Sequence, residues 1–272
     1  MTLLPARRGL VYLIIAGLIG AVLCGCGSSS PIQSLSAEQR FALGKKNFDD
    51  GNYAEAILDF EIIKLQYPGS AVADKAQYYL AESRFKLGEY LLAAEEFQAL
   101  RRNMPASPLA PEAQYKIGLC YYDLSPKSSL DQSYTTRAID EFQTFIEYYP
   151  KHELVADAEA KIKELNTRLA EKKYNEAQLY MKLEAYKAAA ITFDNVIEKY
   201  HDTPYAEPAL LGKVKALIAR GKYDDAKPEI EKFLAKYPNS EHKGEAEALQ
   251  RLIEEHVKSR SAATSPDDSA RR

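Results

Sequence analysis

One short pattern recurs along the chain at a nearly fixed interval. Glycine, any residue and tyrosine occur together at Gly51, Gly88 and Gly221, and an alanine follows three residues after each tyrosine. A bulky apolar residue comes four residues after the alanine, and a proline lies 17 residues after the glycine in all three copies. Two further copies lack the glycine but keep the alanine and a phenylalanine. A chain made of copies of one unit folds as an array in which each copy packs on its neighbours.

The last position of the pattern gives the length of the unit. It falls at 68, 105, 150, 201 and 238, so successive copies lie 37, 45, 51 and 37 residues apart. The two long intervals equal 37 plus 8 and 37 plus 14. A unit of this length is close to the helical hairpin of tetratricopeptide repeats, which takes about 34 residues. We therefore predict an all-α, right-handed solenoid of about five tetratricopeptide-like hairpins with a C-terminal capping helix.

The two insertions differ in character. Residues 125–132 are polar and rich in helix-breaking residues, which predicts an exposed loop between the helices of the third unit. Residues 151–202 contain neither glycine nor proline, and apolar residues recur there at helical spacing. The second insertion therefore predicts one long helix from residue 153 to about residue 183.

This helix divides the repeats into two groups. We expect a front half, residues 37–150, to bind clients and a rear half, residues 151–258, to bind a partner protein. The capping helix is predicted over residues 241–257, and a small, polar tail, residues 259–272, is expected to be disordered. Pro228 lies inside the last repeat helix, where it predicts a kink or a restart.

The N-terminus resembles a bacterial lipoprotein signal. Two arginines precede an uncharged apolar run, residues 10–23, which would cover about 21 Å of helix and is too short to cross a bilayer core of about 30 Å. The run ends in LCGC, which is similar to the lipobox, the motif at which the signal is cleaved before a cysteine that is then acylated. The resemblance implies a signal peptide at 1–25 and a flexible tether at 26–36 that is lipidated at Cys26. An uncleaved signal anchor is the alternative.

The cysteines and the residue after Cys26 agree with this interpretation. Cleavage would remove Cys24 and acylation would occupy Cys26, so only Cys120 would remain and no intramolecular disulfide could form. Gly27 stands where lipoproteins of the inner membrane often carry aspartate. The resemblance therefore implies the periplasmic face of the outer membrane.

Composition and motifs favour binding over catalysis. The formal net charge is −3, which argues against a nucleic-acid partner. The four histidines have no metal-ligand spacing, and the sequence has no glycine-rich phosphate loop ending in lysine. Cys120 lies between apolar residues and is expected to be a buried, inert thiol. We predict no enzyme activity, no cofactor and no bound metal.

The front repeats are rich in aromatic residues at two positions of their first helices. In tetratricopeptide arrays these positions line the concave surface, and here they hold Phe41, Phe48, Tyr78, Phe85, Tyr115 and Tyr122, with Lys45, Lys75 and Lys86 nearby. The equivalent residues of the rear half are Tyr174, Met181, Leu211 and Ile218. Two interpretations remain open. The rings pack between neighbouring helices, or they form a groove for an extended peptide with aromatic side chains, whose carboxylate the lysines would meet.

The lipobox, the tether and the five hairpins together resemble the BamD family, lipoproteins of the outer-membrane β-barrel assembly machinery. The strongest local similarity is in the long fourth unit, which has RLAEK at 168–172 and YHDT at 200–203. The family usually has YPDT there, and a glycine where Glu184 or Ala185 stands in this chain. The resemblance covers about residues 26–258.

The resemblance implies a non-catalytic scaffold in the assembly and insertion of β-barrel proteins. Rear repeats of the family bind the periplasmic domains of the barrel-forming subunit BamA. Front repeats are thought to recognise carboxy-terminal targeting signals of unfolded outer-membrane proteins. Other subunits of the machinery are expected partners. The alternative is a periplasmic tetratricopeptide adaptor that coordinates envelope constriction or peptidoglycan synthesis, although such proteins often carry a coiled coil for which the tether leaves no room. An envelope enzyme would need a catalytic segment beyond the repeats.

Overall fold

The protein is all-helical over the residues that the computed structural model describes, 35–264. Eleven helices and no strand occur in this range. In chain order they are α1 Ala37–Asp49, α2 Tyr53–Gln66, α3 Ala73–Lys86, α4 Tyr90–Asn103, α5 Ala110–Leu124, α6 Ser133–Tyr148, α7 Val155–Lys182, α8 Tyr186–Lys199, α9 Ala206–Ala219, α10 Tyr223–Lys236 and α11 Lys243–Thr264. Each helix packs chiefly on the helices before and after it. The first ten helices form five hairpins and α11 caps them, which confirms the predicted fold class.

The turns inside the hairpins explain the recurring glycines. Gly51, Gly88 and Gly221 have φ angles of +81°, +77° and +69°, in the left-handed region that favours a residue without a Cβ. The fourth hairpin makes the same turn with Glu184, whose φ is +56°. Glu184 thus occupies a glycine position at the expense of backbone strain.

The other repeated positions form the core. The alanine and the bulky apolar residue of every copy are fully buried: Ala56, Ala93, Ala138, Ala189 and Ala226, and Phe60, Phe97, Phe142, Phe193 and Ile230. Two helical glycines pack against these rings, because a Cβ on Gly118 would lie 2.6 Å from Phe142 and one on Gly212 would lie 2.5 Å from Phe193. The repeat is therefore a packing pattern as well as a turn pattern.

The long helix α7 belongs to both halves. Leu165, in its first half, is buried in a cluster with Phe142. Ala170 and Ala177, in its second half, are buried in a cluster with Phe193. Since one continuous helix of 28 residues takes part in both cores, the predicted long helix is confirmed.

Helix α7 also holds the loop between α5 and α6 in place. The guanidinium of Arg168 donates to the carbonyl of Ser125 at 2.9 Å and to its hydroxyl at 2.7 Å. Lys172 donates to the carbonyl of Leu130. The predicted loop at 125–132 therefore exists, and its backbone is tied to the helix that follows.

The end of the chain differs from the prediction in two places. Helix α10 runs through Pro228, which lies on its exposed face, as one element, so the helix does not restart at this proline. Helix α11 runs to Thr264, so residues 259–264 are helical although they were expected in the tail. Between residues 35 and 264 no helix is both long enough and apolar enough to cross a membrane. The predicted signal peptide and Cys26 lie outside the described residues.

Candidate functional site

The structure divides the six predicted groove residues into two classes. Tyr78 and Tyr115 are each only 6% exposed. The other four rings, Phe41, Phe48, Phe85 and Tyr122, are partly exposed. Of the two interpretations left open by the sequence, packing between neighbouring helices therefore applies to Tyr78 and Tyr115.

The two buried tyrosines connect one hairpin to the next. The hydroxyl of Tyr78 donates to Glu112 Oε1 at 2.6 Å, and the hydroxyl of Tyr115 donates to Asp157. Both carboxylates lie on the first helix of the following hairpin. Burial, reinforced by these hydrogen bonds, raises the pKa of both tyrosines well above the usual range. Both phenols therefore stay neutral donors at physiological pH.

Tyr122 makes a similar connection on a more open surface. Its hydroxyl donates to Glu164 Oε2 at 2.6 Å. The hydrogen bond to Glu164, followed by burial, raises the pKa of Tyr122 to about 12. The ring of Tyr122 keeps one face toward Lys161, whose Nζ lies 4.4 Å from the ring centroid.

Pairs of a ring and a lysine recur along the first helices of the front half. Lys116 Nζ lies 5.6 Å from the centroid of Phe85, in the manner of Lys161 and Tyr122. At the first junction the ring of Tyr79 takes the place of the lysine, 5.1 Å from the ring of Phe48. Each contact joins adjacent repeats. A cation over the face of an aromatic ring is attracted to that ring. We call these three contacts the ring–cation ladder.

Sequence reasoning missed one side of this ladder, although its signal was present. Tyr79, Lys116 and Lys161 lie 37 and 45 residues apart, which are the intervals of the repeat itself. No single residue type marks this repeat position, because it holds a tyrosine in one repeat and a lysine in the next two.

The three predicted lysines have different surroundings. Lys45 Nζ lies 5.1 Å from the ring centroid of Tyr79 and forms an ion pair with Asp49. Lys75 and Lys86 are exposed and form no ion pair among the described residues. The lysines of the ladder are thus Lys116 and Lys161, and of the three predicted lysines Lys45 is the one that lies over a ring among the described residues.

The rear half has apolar residues at the equivalent positions and a different kind of surface. Leu211 is buried, and Tyr174 packs 5.8 Å from the ring of Phe193. At the turn between α7 and α8, Leu183 is 64% exposed and Ile191 is 56% exposed. A shallow depression of about 510 Å³ lies beside them, lined by Ile191 and by Glu184, Ala185, Tyr186, Lys187, Ala188 and Arg220. We call this surface the rear apolar patch.

Residues 35–264 contain no group of three or more histidine, cysteine, aspartate and glutamate side chains arranged to hold a metal ion. Cys120 is fully buried, and burial raises the pKa of its thiol. A thiol in such surroundings is a poor nucleophile, because the reactive form is the thiolate. The chemistry that the described surface offers is therefore that of ring, lysine and carboxylate contacts.

Comparison with known proteins identifies the family. Residues 33–227 match the family model YfiO, described as outer membrane lipoprotein. A relative from Rickettsia prowazekii is 30% identical over 230 residues, which cover 82% of this chain and 90% of the relative. One from Caulobacter vibrioides is 27% identical over 219 residues, covering 79% of this chain and 72% of the relative. Both are named outer membrane protein assembly factor BamD.

Solved structures show a weaker likeness. The TPR2AB domain of yeast Sti1, solved as a complex with pHSP90, is 19% identical to this chain. The alignment covers 84% of this chain and 86% of the Sti1 chain. The TM-score is 0.44, too low to carry any conclusion about binding. The family match covers most of the chain, and the Rickettsia relative aligns over nearly its whole length. The chain belongs to the outer membrane lipoprotein family that includes the BamD assembly factors.

Proposed function

We propose that this protein is a non-catalytic scaffold in the assembly and insertion of β-barrel proteins into the outer membrane. An acylated Cys26 anchors it to the periplasmic face of that membrane, and it works without a cofactor. Membership of the outer membrane lipoprotein family and the assembly-factor names of its relatives support this role. The solenoid itself supports it as well, since stacked hairpins offer extended surfaces for protein ligands.

The ring–cation ladder is the observation that carries the client-binding part of the proposal. Phe85 and Tyr122 are partly exposed rings on successive first helices, and each has a lysine beside it. Such a surface suits an extended peptide with aromatic side chains and a carboxylate, because rings pack on rings and the ammonium groups attract the anion. The targeting signals of unfolded outer-membrane proteins, to which the family resemblance points, have this chemistry.

The rear apolar patch is the surface that we assign to the BamA-type partner. Leu183, at the end of α7, and Ile191, on α8, are large exposed apolar side chains, and Arg220 adds a cation to the lining of the depression. Exposed apolar patches with polar rims are typical of protein–protein interfaces. One helix, α7, connects this patch with the front half, so both ligands would be held on a single scaffold.

Affinity purification of the tagged full-length protein from gently solubilised envelopes tests the scaffold role. Recovery of a large barrel protein with periplasmic repeat domains, in near-equal amount, is expected. Recovery of cell-wall synthases or constriction proteins without such a barrel would overturn the proposal. The variant Ile191→Asp should release the barrel protein, whereas Leu58→Asp, at a similarly exposed position on α2, should retain it.

Binding of a synthetic peptide that ends in a phenylalanine with a free carboxylate tests the client groove. The double variant Phe85→Ala with Tyr122→Ala should bind about tenfold more weakly, since each lost ring contact is worth about 0.5–1.5 kcal/mol. Leu58→Ala with Leu65→Ala is the matched control, because both leucines are exposed on α2. Equal affinities for the two double variants, with unchanged thermal unfolding, would remove the ladder from the proposal.

The lipid anchor has its own test. The intact mass of the membrane-extracted protein should equal that of the chain from Cys26 onward plus its acyl groups. The variant Cys26→Ser should lose these groups and leave the membrane fraction, because stable anchoring needs more than one acyl chain. A mass that includes residues 1–25 would instead identify an uncleaved signal anchor.

A further inference from the structure

A cavity away from the groove lies between the second and third hairpins. It has a volume of about 320 Å³ and is lined by Arg101, Pro105, Gln114, Tyr148 and Tyr149. Most of these residues come from the carboxyl ends of α4 and α6, the second helices of their hairpins. None of them belongs to the ring–cation ladder or to the rear apolar patch. We call it the Arg101 cavity.

The junction between the first and second hairpins shows how the equivalent site is normally neutralised. Gln77 Nε2 donates to the Glu96 carbonyl at 2.9 Å and to the Glu96 carboxylate at 2.6 Å. Lys64 Nζ donates to the same carboxylate at 2.6 Å. The glutamate thus compensates the charge of the lysine and also accepts from the glutamine.

The next junction repeats this arrangement with one change. Gln114 and Arg101 each lie 37 residues after their counterparts, and Gln114 Nε2 again donates to the carbonyl and carboxylate of Glu141, at 2.9 and 3.0 Å. Here, however, the second carboxylate oxygen of Glu141 accepts from Arg137 Nε at 3.0 Å. Arg101 donates instead to the side-chain oxygen of Gln114. Its partly buried guanidinium therefore faces the cavity without a carboxylate partner among the described residues.

The remaining donors of Arg101 define the ligand chemistry. A guanidinium has five N–H donors in a planar fork, and the bond to Gln114 uses one of them. The free part of the fork matches a carboxylate, which it binds through two parallel hydrogen bonds. The walls are apolar, because they consist of the ring of Pro105, the ring of Tyr149 and the ring of Tyr148, which is 73% exposed.

The other lining residues favour a side-chain carboxylate over a chain terminus. A terminal carboxylate is usually captured by several backbone amides. Pro105 has no amide hydrogen, both amide hydrogens of Gln114 are used by Glu141, and the backbone N–H of Tyr149 donates to the Phe145 carbonyl. Arg101 is thus the main donor, and one guanidinium is sufficient for one side-chain acid.

We propose that the Arg101 cavity is a docking site for an acidic segment of a partner protein, in which a glutamate side chain stands next to an aromatic residue. The carboxylate pairs with the guanidinium of Arg101, and the neighbouring ring packs on Tyr148 and Pro105. This site is separate from the client groove, so the proposal does not depend on the groove.

Tryptophan fluorescence offers a direct test, because the chain contains no tryptophan. The probe is a short peptide with both ends blocked that carries one glutamate between a phenylalanine and a tryptophan. Two companion peptides replace the glutamate by glutamine, one with blocked ends and one with a free terminal carboxylate. Each is titrated against the full-length protein in detergent and against the variants Arg101→Gln, Arg102→Gln and Tyr148→Ala.

The glutamate peptide should bind at least tenfold more tightly than the blocked glutamine peptide, since hydrogen bonds between two charged groups are stronger than those with a neutral amide. Arg101→Gln should remove this preference, whereas Arg102→Gln, the same change at the exposed neighbouring residue, should keep it. Tyr148→Ala should weaken binding several-fold without affecting folding, because its ring is mostly exposed.

Three results would overturn the proposal. One is the absence of any fluorescence change up to about 1 mM peptide, since a dissociation constant of 1 mM corresponds to a binding free energy of about −4 kcal/mol. Another is an equal loss of binding in Arg101→Gln and Arg102→Gln, which would indicate general charge attraction. The third is tighter binding of the peptide with the free terminal carboxylate, which would make the occupant a chain terminus.

Discussion

The front and rear halves use the same hairpin, but different interactions connect their neighbouring hairpins. In the front half, the hydroxyls of Tyr78 and Tyr115 donate hydrogen bonds to carboxylates of the next hairpin. In the rear half, the Tyr174 hydroxyl accepts from Gln178 on its own helix, and Leu211 replaces the second tyrosine. The buried apolar residues from Ala170 in α7 to Ile253 in α11 form one continuous cluster, whereas those before Ala170 fall into three.

This difference shows which part of a repeat is free to vary. The buried alanine and the bulky apolar residue occur in every hairpin, and the left-handed turn occurs in both halves. The first-helix surface differs between the halves. In the front half this surface carries rings, lysines and carboxylates, which suit the aromatic, carboxylate-bearing peptide proposed above, whereas in the rear half it packs against apolar neighbours. We therefore expect the free energy of unfolding to depend on apolar packing in the rear half and in part on pH in the front half.

The largest expected effect is the loss of a central ring in the rear cluster. Phe193 is fully buried and contacts Gly212 and the ring of Tyr174. Phe193→Ala should lower the free energy of unfolding by about 3–5 kcal/mol, since it removes a buried ring and leaves a cavity that the surrounding side chains fill only in part. Urea denaturation followed by circular dichroism measures the change.

The control for Phe193→Ala lies on the same helix. Ile191 is 56% exposed, so Ile191→Ala should change stability by less than about 0.5 kcal/mol. If Phe193→Ala lowered stability by no more than the control does, the rear half would not depend on packing and the contrast between the halves would fail.

A smaller effect, of opposite sign, is expected at the turn of the fourth hairpin. Glu184 has a φ of +56°, where three of the other four hairpins have glycine. Glu184→Gly should raise the free energy of unfolding by about 1 kcal/mol. The left-handed conformation costs a residue with a Cβ about 1–2 kcal/mol, and removing this strain is partly offset because glycine loses more backbone entropy on folding.

Glu184→Ala separates backbone strain from the loss of the charge. Alanine keeps the Cβ and removes the carboxylate, so it should give no gain in thermal stability. An equal gain in both variants would show that the carboxylate, and not the backbone, destabilises this turn.

The sequence was sufficient for the fold but only in part for the site. The period of the repeat predicts the turns at Gly51, Gly88 and Gly221 and the buried positions. Both features depend on local backbone conformation and on packing within one or two hairpins. The groove depends on partners much further along the chain. The buried Tyr78 donates its hydroxyl hydrogen to Glu112, 34 residues away, and nothing in the pattern of a single repeat predicts this bond.

Other differences have equally specific causes. Helix α10 continues through Pro228, and the exposure of this proline depends on how the helix packs. The Arg101 cavity arises because Arg137, one turn before Glu141, takes the carboxylate oxygen that a cation holds at the preceding junction. Competition between two cations for one carboxylate is a property of three-dimensional geometry, so it could not be predicted from spacing alone.

The smallest expected effect appears only at alkaline pH and belongs to the front half. The bond to Glu164 raises the pKa of Tyr122 from 10.0 to about 12. Between these values the unfolded chain has lost a proton that the folded chain keeps, so the stability contributed by this bond is complete below pH 10 and falls as the pH rises toward 12. Tyr122→Phe should therefore be less stable than the unchanged protein near neutral pH, and the difference should shrink at alkaline pH.

Urea unfolding of both proteins at about pH 8 and about pH 11 measures this difference, since the window lies above the ordinary tyrosine pKa. Lysines also lose their charge in this range, but they do so in both proteins and cancel in the comparison. Tyr148→Phe is the matched control, because the exposed Tyr148 hydroxyl has no carboxylate partner among residues 35–264. A stability difference for Tyr122→Phe that stays constant with pH would mean that its hydroxyl contributes no titratable part. The front half would then be held by packing in the same way as the rear half.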